Sequence, residues 1–373
     1  MKESCSDSCK RISIYERNSS VELLRIIAML CIVLSHACCH SGLDKLSILL
    51  TFNGFFIQWG TLGNLGVAVF ILISGYYLYD QKINTKSVCK LLAQIWFYSI
   101  SIFVICFFFV GYNYSFVDVL TAFFPVSFAQ HWFATDYIIL ILFSPFFNIA
   151  IKSMQKKQIE SLLLMIIAWW AISMVTQQKI GFIVNFHAYY LIGAYFKKYP
   201  DNFLKNKGMK LASASLAMLF FSTVVLDYLS RFSLYFFSYA NNMYLTNSLL
   251  ILGAAVGMFA TAIYSTPYHS KPINTIAGCT FAVYLIHENP AVRVLLWNDL
   301  LKISDYNDNP YLFLYIIFCV IAVFAAATII ELIRQKTIAN IMTNAVLSGI
   351  GKIRGVIRRC LAHLSKITAD SSC

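Results

Sequence analysis

The sequence contains a series of long, nearly unbroken apolar runs, such as residues 162–175 and 311–330. Several approach the ~20 residues that a helix needs to cross a bilayer. They lack the alternation of a barrel strand. With 59% hydrophobic and only 12% charged residues, the chain is too apolar for a water-soluble core. Because lipid offers backbone groups no hydrogen-bond partner, the runs must be helices. The sequence predicts an all-α, polytopic integral membrane protein.

Apolar segments of spanning length predict about ten transmembrane helices, at 20–41, 62–80, 90–111, 131–151, 161–177, 180–196, 211–230, 244–265, 275–296 and 311–333. Basic residues are distributed unevenly between the connecting segments. Of the 29 Lys and Arg residues, the segments on the predicted outer side hold only Lys45, Lys179, Arg231, Arg293 and Lys302. This asymmetry predicts that both termini are cytoplasmic. It also accounts for the net charge of +12 without a nucleic-acid partner.

The predicted organisation has three parts: a cytoplasmic N-terminal tail (1–19), a transmembrane domain (20–333) and a basic amphipathic cytoplasmic tail (334–373). The first apolar stretch contains Glu22 and Arg25 and no small-residue cleavage pattern, so we expect a retained helix. The last tail repeats Ile and Leu at helical spacing among basic residues, which is typical of a helix on the inner leaflet. A partly disordered basic tail is the alternative. The 11 cysteines are scattered and predict no disulfide framework.

Ionisable residues inside a bilayer are costly and are functional candidates by default. The first helix is the richest in them, with Glu22, Arg25, His36 and His40. Arg25 and His36 are eleven positions apart, which is three turns plus about 20°, so they share one face. Their separation along the axis is about 16 Å. Arg25 is therefore predicted near the cytoplasmic end and His36 deep in the outer half.

The Arg25-x10-His36 pattern is preceded by the pair Glu22-Leu23 and followed by a Gly-Val…Phe…Ser-Gly segment in the next span. In these features the chain resembles the acyltransferase 3 family of membrane acyltransferases, and the resemblance runs in order from residue 20 to about 333. Tyr76 and Tyr77 depart from the family pattern, in which apolar residues more usually follow Ser-Gly. The residues that carry the resemblance are Glu22, Leu23, Arg25, His36, Gly66, Val67, Phe70, Ser74, Gly75, His131, Trp132, Phe133, Ser144, Pro145, Tyr284 and His287.

The resemblance implies an enzyme that moves an acyl group, most often acetyl, from cytoplasmic acyl-coenzyme A to a hydroxyl of a cell-envelope carbohydrate or glycan. The acyl-coenzyme A is a donor substrate, and no permanently bound cofactor is expected. His36 would be the general base, since imidazole titrates near neutral pH. Arg25 would hold coenzyme A phosphates, with Ser74 and Gly75 shaping the acyl channel. The resemblance also implies that the protein lies in the bacterial cytoplasmic membrane.

Further polar residues are candidates for the acceptor site: Glu22, His131, Asp136 and His287, the last together with its neighbour Glu288. Glu22 is equally suited to a structural ion pair with Arg25 at i, i+3. The others are equally suited to solvated positions at the membrane interface. His40, with Cys38 and Cys39, could suggest zinc, but we expect no metal site, because cysteines in such a helix commonly act as small apolar side chains. His40 is expected at the interface or as a partner of His36.

Two other functions share these sequence features. A transporter or exporter of a glycan or small molecule would have the same spans and basic interior, but it is disfavoured because the two halves show no internal symmetry. A sensor or binding component that uses the same cavity without turnover is the second alternative.

Overall fold

A computed structural model describes residues 17–46, 51–176, 182–237 and 249–370. All regular secondary structure in these ranges is helical, and they contain no β-strand. The all-α prediction is therefore confirmed. Most of the predicted N-terminal tail, and residues 177, 180, 181 and 244–248 of three predicted spans, lie outside the described residues.

Fifteen helices are labelled here in chain order: α1 Ser19–His40, α2 Phe52–Gly60, α3 Gly63–Leu78, α4 Thr85–Ile105, α5 Phe116–Phe123, α6 Trp132–Ser153, α7 Lys156–Thr176, α8 Phe182–Lys198, α9 Gly208–Leu229, α10 Leu249–Tyr264, α11 Lys271–Ala277, α12 Thr280–His287, α13 Pro290–Val294, α14 Leu312–Thr337 and α15 Ala339–Asp370. A π-helical turn, Cys106–Val110, extends α4, and another, Leu295–Leu300, extends α13.

Six helical segments within the described ranges are long and apolar enough to cross a membrane: Ser19–His40, Phe52–Leu78, Thr85–Val110, Trp132–Ser153, Gly208–Leu229 and Leu312–Thr337. The shorter apolar helix α10 and the helices α7 and α8 coincide with further predicted spans. The chain is a polytopic membrane protein.

The second span is longer than predicted. It begins at Phe52 and includes α2, which precedes α3 with only Thr61 and Leu62 between them. Polar residues and glycines in α2, such as Asn53, Gly54 and Gln58, lower its hydropathy. The apolar run therefore begins only at residue 62, and the predicted start of the span is about ten residues too late.

The ninth predicted span is not one helix but the separate pieces α11, α12 and α13. The break after α12 follows from Pro290, which has no N–H to donate and which disfavours a helical conformation at the residue before it. Asn289 is accordingly extended (φ −60°, ψ 131°), and its side chain caps α13 by accepting from the amide of Ala291. The break leaves His287 and Glu288 at the end of α12, and both are buried within the protein.

Small residues bring the central helices close together. A Cβ added to Gly66 of α3 would collide with the carbonyl oxygen of Ala28 in α1, and one added to Gly75 would collide with that of Tyr190 in α8. Such close backbone approach is typical of packed membrane helices. α1 also contacts α10, α11, α12 and α14, so its buried face lies at the centre of the bundle.

The C-terminal tail is helical from Ala339 to Asp370, and this helix contacts α4. Ile341 and Ile353 are exposed on it. Its placement on the inner leaflet stays a prediction.

Candidate active site

One face of α1 lines two cavities. Arg25 and Met29 line a cavity of about 470 Å³, and Met29 and His36 line a second one of about 60 Å³. Ile32, which lies between Met29 and His36, lines the second cavity as well. Residues 25, 29, 32 and 36 follow helical spacing, so they form one continuous stripe. Met29 and Phe133 belong to both linings, and the two cavities therefore adjoin at these side chains.

The larger cavity, here called the basic cavity, holds three cationic side chains, Arg17, Arg25 and Lys90. Its one carboxylate, Glu331, accepts hydrogen bonds of 2.8 and 2.7 Å from the buried guanidinium of Arg334, which neutralises its charge. The lining is therefore net positive. Lys90 lies near the start of α4 and Glu331 near the end of α14, which are the predicted cytoplasmic ends of both helices.

The start of α1 is fixed to the loop before α11. The backbone amide of Ser19 donates to the carbonyl of Tyr268 (2.8 Å), and the Ser19 hydroxyl donates to Oδ1 of Asn274 (2.7 Å). The amide of Asn274 donates in turn to the carbonyl of Arg17 (3.2 Å). These bonds hold the backbone of Arg17 and the start of α1 against the loop before α11 and Asn274 of α11.

The smaller cavity, here called the histidine cavity, is lined by His36, Ser35, Gly63 and mainly apolar side chains, among them Ile32, Val67, Trp132, Phe133 and Tyr284. Gly63 approaches α1 so closely that a Cβ there would lie 2.7 Å from that of Ser35. The cavity is thus a narrow, largely apolar space next to the imidazole of His36.

Beside this cavity, His36 contacts the end of α12. The side chains that meet there are here called the histidine cluster: His36, His40, His287, Glu288 and Arg293. The Nδ1 atom of His36 lies 2.8 Å from Nε2 of His287 and 3.2 Å from Oε2 of Glu288. Nε2 of His40 donates to the same carboxylate oxygen at 2.8 Å, and Arg293 lies 3.4 Å from the other oxygen. Glu288 is buried, and its carboxylate contacts two histidines, His36 and His40, and one arginine, Arg293.

The hydrogen bonds determine which ring nitrogens of the histidines carry protons. Nδ1 of the buried His287 lies 2.6 Å from the carbonyl oxygen of Val283, one turn back in α12. A carbonyl can only accept, so this nitrogen is protonated and Nε2 of neutral His287 carries a lone pair. Nδ1 of His36 faces that lone pair and a carboxylate, so it must be the donor. The lone pair of neutral His36 is consequently on Nε2.

The same cluster has a spacing that a divalent cation could use. Within the described residues, one ligand atom each from His36, His40 and Glu288 lie within 4.8 Å of one another. A metal bound through Nδ1 of His36 would have to displace the proton that this atom donates in the hydrogen bonds above.

Residues 18–331 match the Acyltransferase domain of the acyltransferase 3 family, which is most of the chain. The chain belongs to the acyltransferase 3 family. No curated protein and no solved structure matches it. The molecule is therefore a membrane acyltransferase, and the transport alternative loses its support.

In this acyltransferase, only some of the predicted donor-site residues lie together. Arg25 and Ser74 both line the basic cavity, where the Ser74 hydroxyl lies 3.2 Å from that of Tyr137. Gly75 instead faces the backbone of Tyr190 and packs α3 against α8. Glu22 is buried and lies 3.6 Å from Arg25, as an i, i+3 ion pair would place it.

The predicted acceptor-site residues likewise do not all lie at one place. His287 contacts His36 directly. His131 is buried, with its ring 5.8 Å from that of Tyr284, and neither ring nitrogen has a hydrogen-bond partner among the described residues. Asp136 lies further along α6, partly buried, and is not a member of the histidine cluster.

Glu288 and Arg293 also belong to the cluster. Glu288 was named with His287 as a candidate for the acceptor site, and a carboxylate next to a histidine within a membrane span requires a partner. Arg293 was not among the site residues predicted from the sequence, and no local pattern identifies it. His40, expected at the interface or as a partner of His36, is bound to Glu288.

Proposed function

We propose that this acyltransferase transfers an acetyl group from cytoplasmic acetyl-coenzyme A to a hydroxyl of a cell-envelope carbohydrate, in the cytoplasmic membrane of a bacterium. The observation that carries the proposal is the continuous stripe on α1 from Arg25 to His36, which lines two adjoining cavities. Arg25 would bind one end of an extended thioester donor, and the adjoining cavities would let its other end reach His36. Both residues lie on one helix.

The basic cavity suits the nucleotide end of coenzyme A. Its cations Arg17, Arg25 and Lys90 would bind phosphates, for which the guanidinium of arginine is well shaped. The pantetheine arm would extend past Met29 and Phe133 and bring the thioester to the histidine cavity. The ion pair with Glu22 would keep Arg25 oriented.

His36 would act as general base through Nε2. It takes the proton of the acceptor hydroxyl while the hydroxyl oxygen forms a bond to the thioester carbonyl carbon. The carbon–sulfur bond then breaks, and the coenzyme A sulfur leaves with the proton held by His36. Glu288, 3.2 Å from Nδ1, would stabilise the imidazolium that forms between these steps.

The proposal is tested with purified protein in detergent and radiolabelled acetyl-coenzyme A, by following coenzyme A release in the presence of envelope glycans. Glycan-stimulated release with label appearing on the glycan is the expected result. Absence of stimulated release with acetyl, succinyl and longer acyl donors would contradict it.

A further inference from the structure

A third, smaller pocket lies near the opposite end of α4 from Lys90, on the predicted outer side. It is here called the tyrosine pocket and has a volume of about 50 Å³. Residues of the segment after α4, of α5 and of the start of α13 line it. Those used below are Tyr112, Tyr114, Asp118, Gln130 and Asn289.

Asn289 lines this pocket and carries an unsatisfied polar group. The residue is 2% exposed, and its Oδ1 caps α13 by accepting from the amide of Ala291 (3.1 Å). Its Nδ2 is buried and has no hydrogen-bond partner among the described residues. Because a buried donor without an acceptor is unfavourable, a small shift of this side chain toward a ligand oxygen in the pocket would be favourable.

The rest of the lining matches a polyhydroxylated, uncharged ligand. Tyr112 and Tyr114 both line the pocket, with ring centroids 4.8 Å apart. The C–H face of a sugar can pack on aromatic side chains of this kind. Gln130 accepts at Oε1 from Ser99 (2.5 Å), which fixes its amide at the pocket. No Lys, Arg or His lines the pocket, so it does not favour a phosphate or another anion.

Asp118 adds an acceptor for hydroxyl protons. Ser115 donates to its Oδ2 from both the backbone amide (2.9 Å) and the hydroxyl (2.7 Å). These bonds hold the pKa of the Asp118 carboxyl below its usual range, so it accepts hydrogen bonds at neutral pH. The pocket thus combines a donor, an amide, a carboxylate and aromatic faces.

The tyrosine pocket adjoins the histidine cluster through two chain segments. Asn289 directly follows Glu288, which contacts His36, and Gln130 directly precedes His131, which packs against Tyr284 of the histidine cavity. We infer that the tyrosine pocket binds a neutral sugar residue of the acceptor glycan. The volume admits one ring substituent, while the ring itself lies against the tyrosines. The inference rests on the proposed function and specifies where and how its acceptor is held.

The test is equilibrium binding of two radiolabelled neutral tetrasaccharides, chitotetraose and maltotetraose, to the full-length protein in detergent without any acyl donor. We expect at least one to bind. Asn289→Asp keeps the cap acceptor of α13 but removes the Nδ2 donor, and should weaken binding about tenfold. Tyr114→Ala should weaken it similarly, while Tyr114→Phe retains it. Phe109→Ala, a change at an 83% exposed residue beside the pocket segment, is the matched control and should bind as wild type.

The inference is overturned if neither tetrasaccharide binds, or if Asn289→Asp and Tyr114→Ala bind as well as the wild type. Because no donor is present, these outcomes do not depend on catalysis. Glycan acylation with an unchanged acceptor KM in both variants would refute the pocket and leave the proposed function standing. Binding that is lost in the variants, without acyl transfer in the wild type, would refute the function and leave the pocket standing.

Discussion

Nδ1 of His36 lies 2.8 Å from Nε2 of His287, although 251 residues separate them in the chain. The contact joins the centre of the bundle to the end of the broken ninth span. With the bond from His287 to the Val283 carbonyl, it fixes the lone pair of His36 on Nε2. A backbone carbonyl of α12 thereby determines the protonation of a side chain on α1.

His287→Ala should therefore lower kcat by about 10²- to 10⁴-fold, since Nδ1 of His36 loses the nearer of its two acceptors, Nε2 of His287, and keeps only the carboxylate of Glu288. The KM for acetyl-coenzyme A should stay within about twofold, because His287 does not line the basic cavity. Steady-state kinetics with both substrates measure this split. His187→Ala, at a histidine of α8, is the control. An unchanged kcat in His287→Ala would contradict a role of His287 in orienting His36.

Arg25→Ala should weaken acetyl-coenzyme A binding by roughly 10- to 100-fold, the value of a lost charge-assisted hydrogen bond to phosphate. Calorimetric titration of the detergent-purified protein measures the affinity. Arg231→Ala removes one positive charge on the predicted outer side and should bind as wild type. Equal affinities for the Arg25 variant and the wild type would contradict its assigned role.

Met29→Trp should block the passage between the basic and histidine cavities, because Met29 lines both. Acyl transfer should fall at least about tenfold, whereas acetyl-coenzyme A should still bind. Ile27→Trp adds the same bulk to an exposed position of α1 and serves as the control. Full turnover in Met29→Trp would show that the donor reaches His36 by another route.

The histidine cavity should restrict the length of the acyl chain, since only about 60 Å³ is open between Ile32, Val67 and Trp132. We expect acetyl-coenzyme A to be used faster than butyryl-coenzyme A. Val67→Ala should enlarge the histidine cavity and so reduce the difference in rate between acetyl-coenzyme A and butyryl-coenzyme A. Relative kcat/KM for the two donors gives the result, and an unaltered preference in the variant would argue against this cavity as the acyl site.

The sequence predicted those features that depend on local pattern. Apolar runs located the spans, and the spacing of Arg25 and His36 predicted their shared face, because helical geometry alone determines it. The pairing of His36 with His287 and Glu288 could not be predicted, since it depends on how α12 packs against α1. The break before Pro290 did have a local signal, the Asn-Pro pair, but the apolar run around it concealed the break. Gly75 was assigned to the donor site from resemblance, whereas its packing against Tyr190 depends on the position of α8.

The role of His36 as base is tested most directly by single-turnover acyl transfer in His36→Ala, at a concentration of radiolabelled acetyl-coenzyme A shown to saturate the variant. Binding of the donor should be retained, because His36 lies beyond the basic cavity. Transfer of label to the glycan should be undetectable. Transfer at the wild-type rate would show that His36 is not the general base.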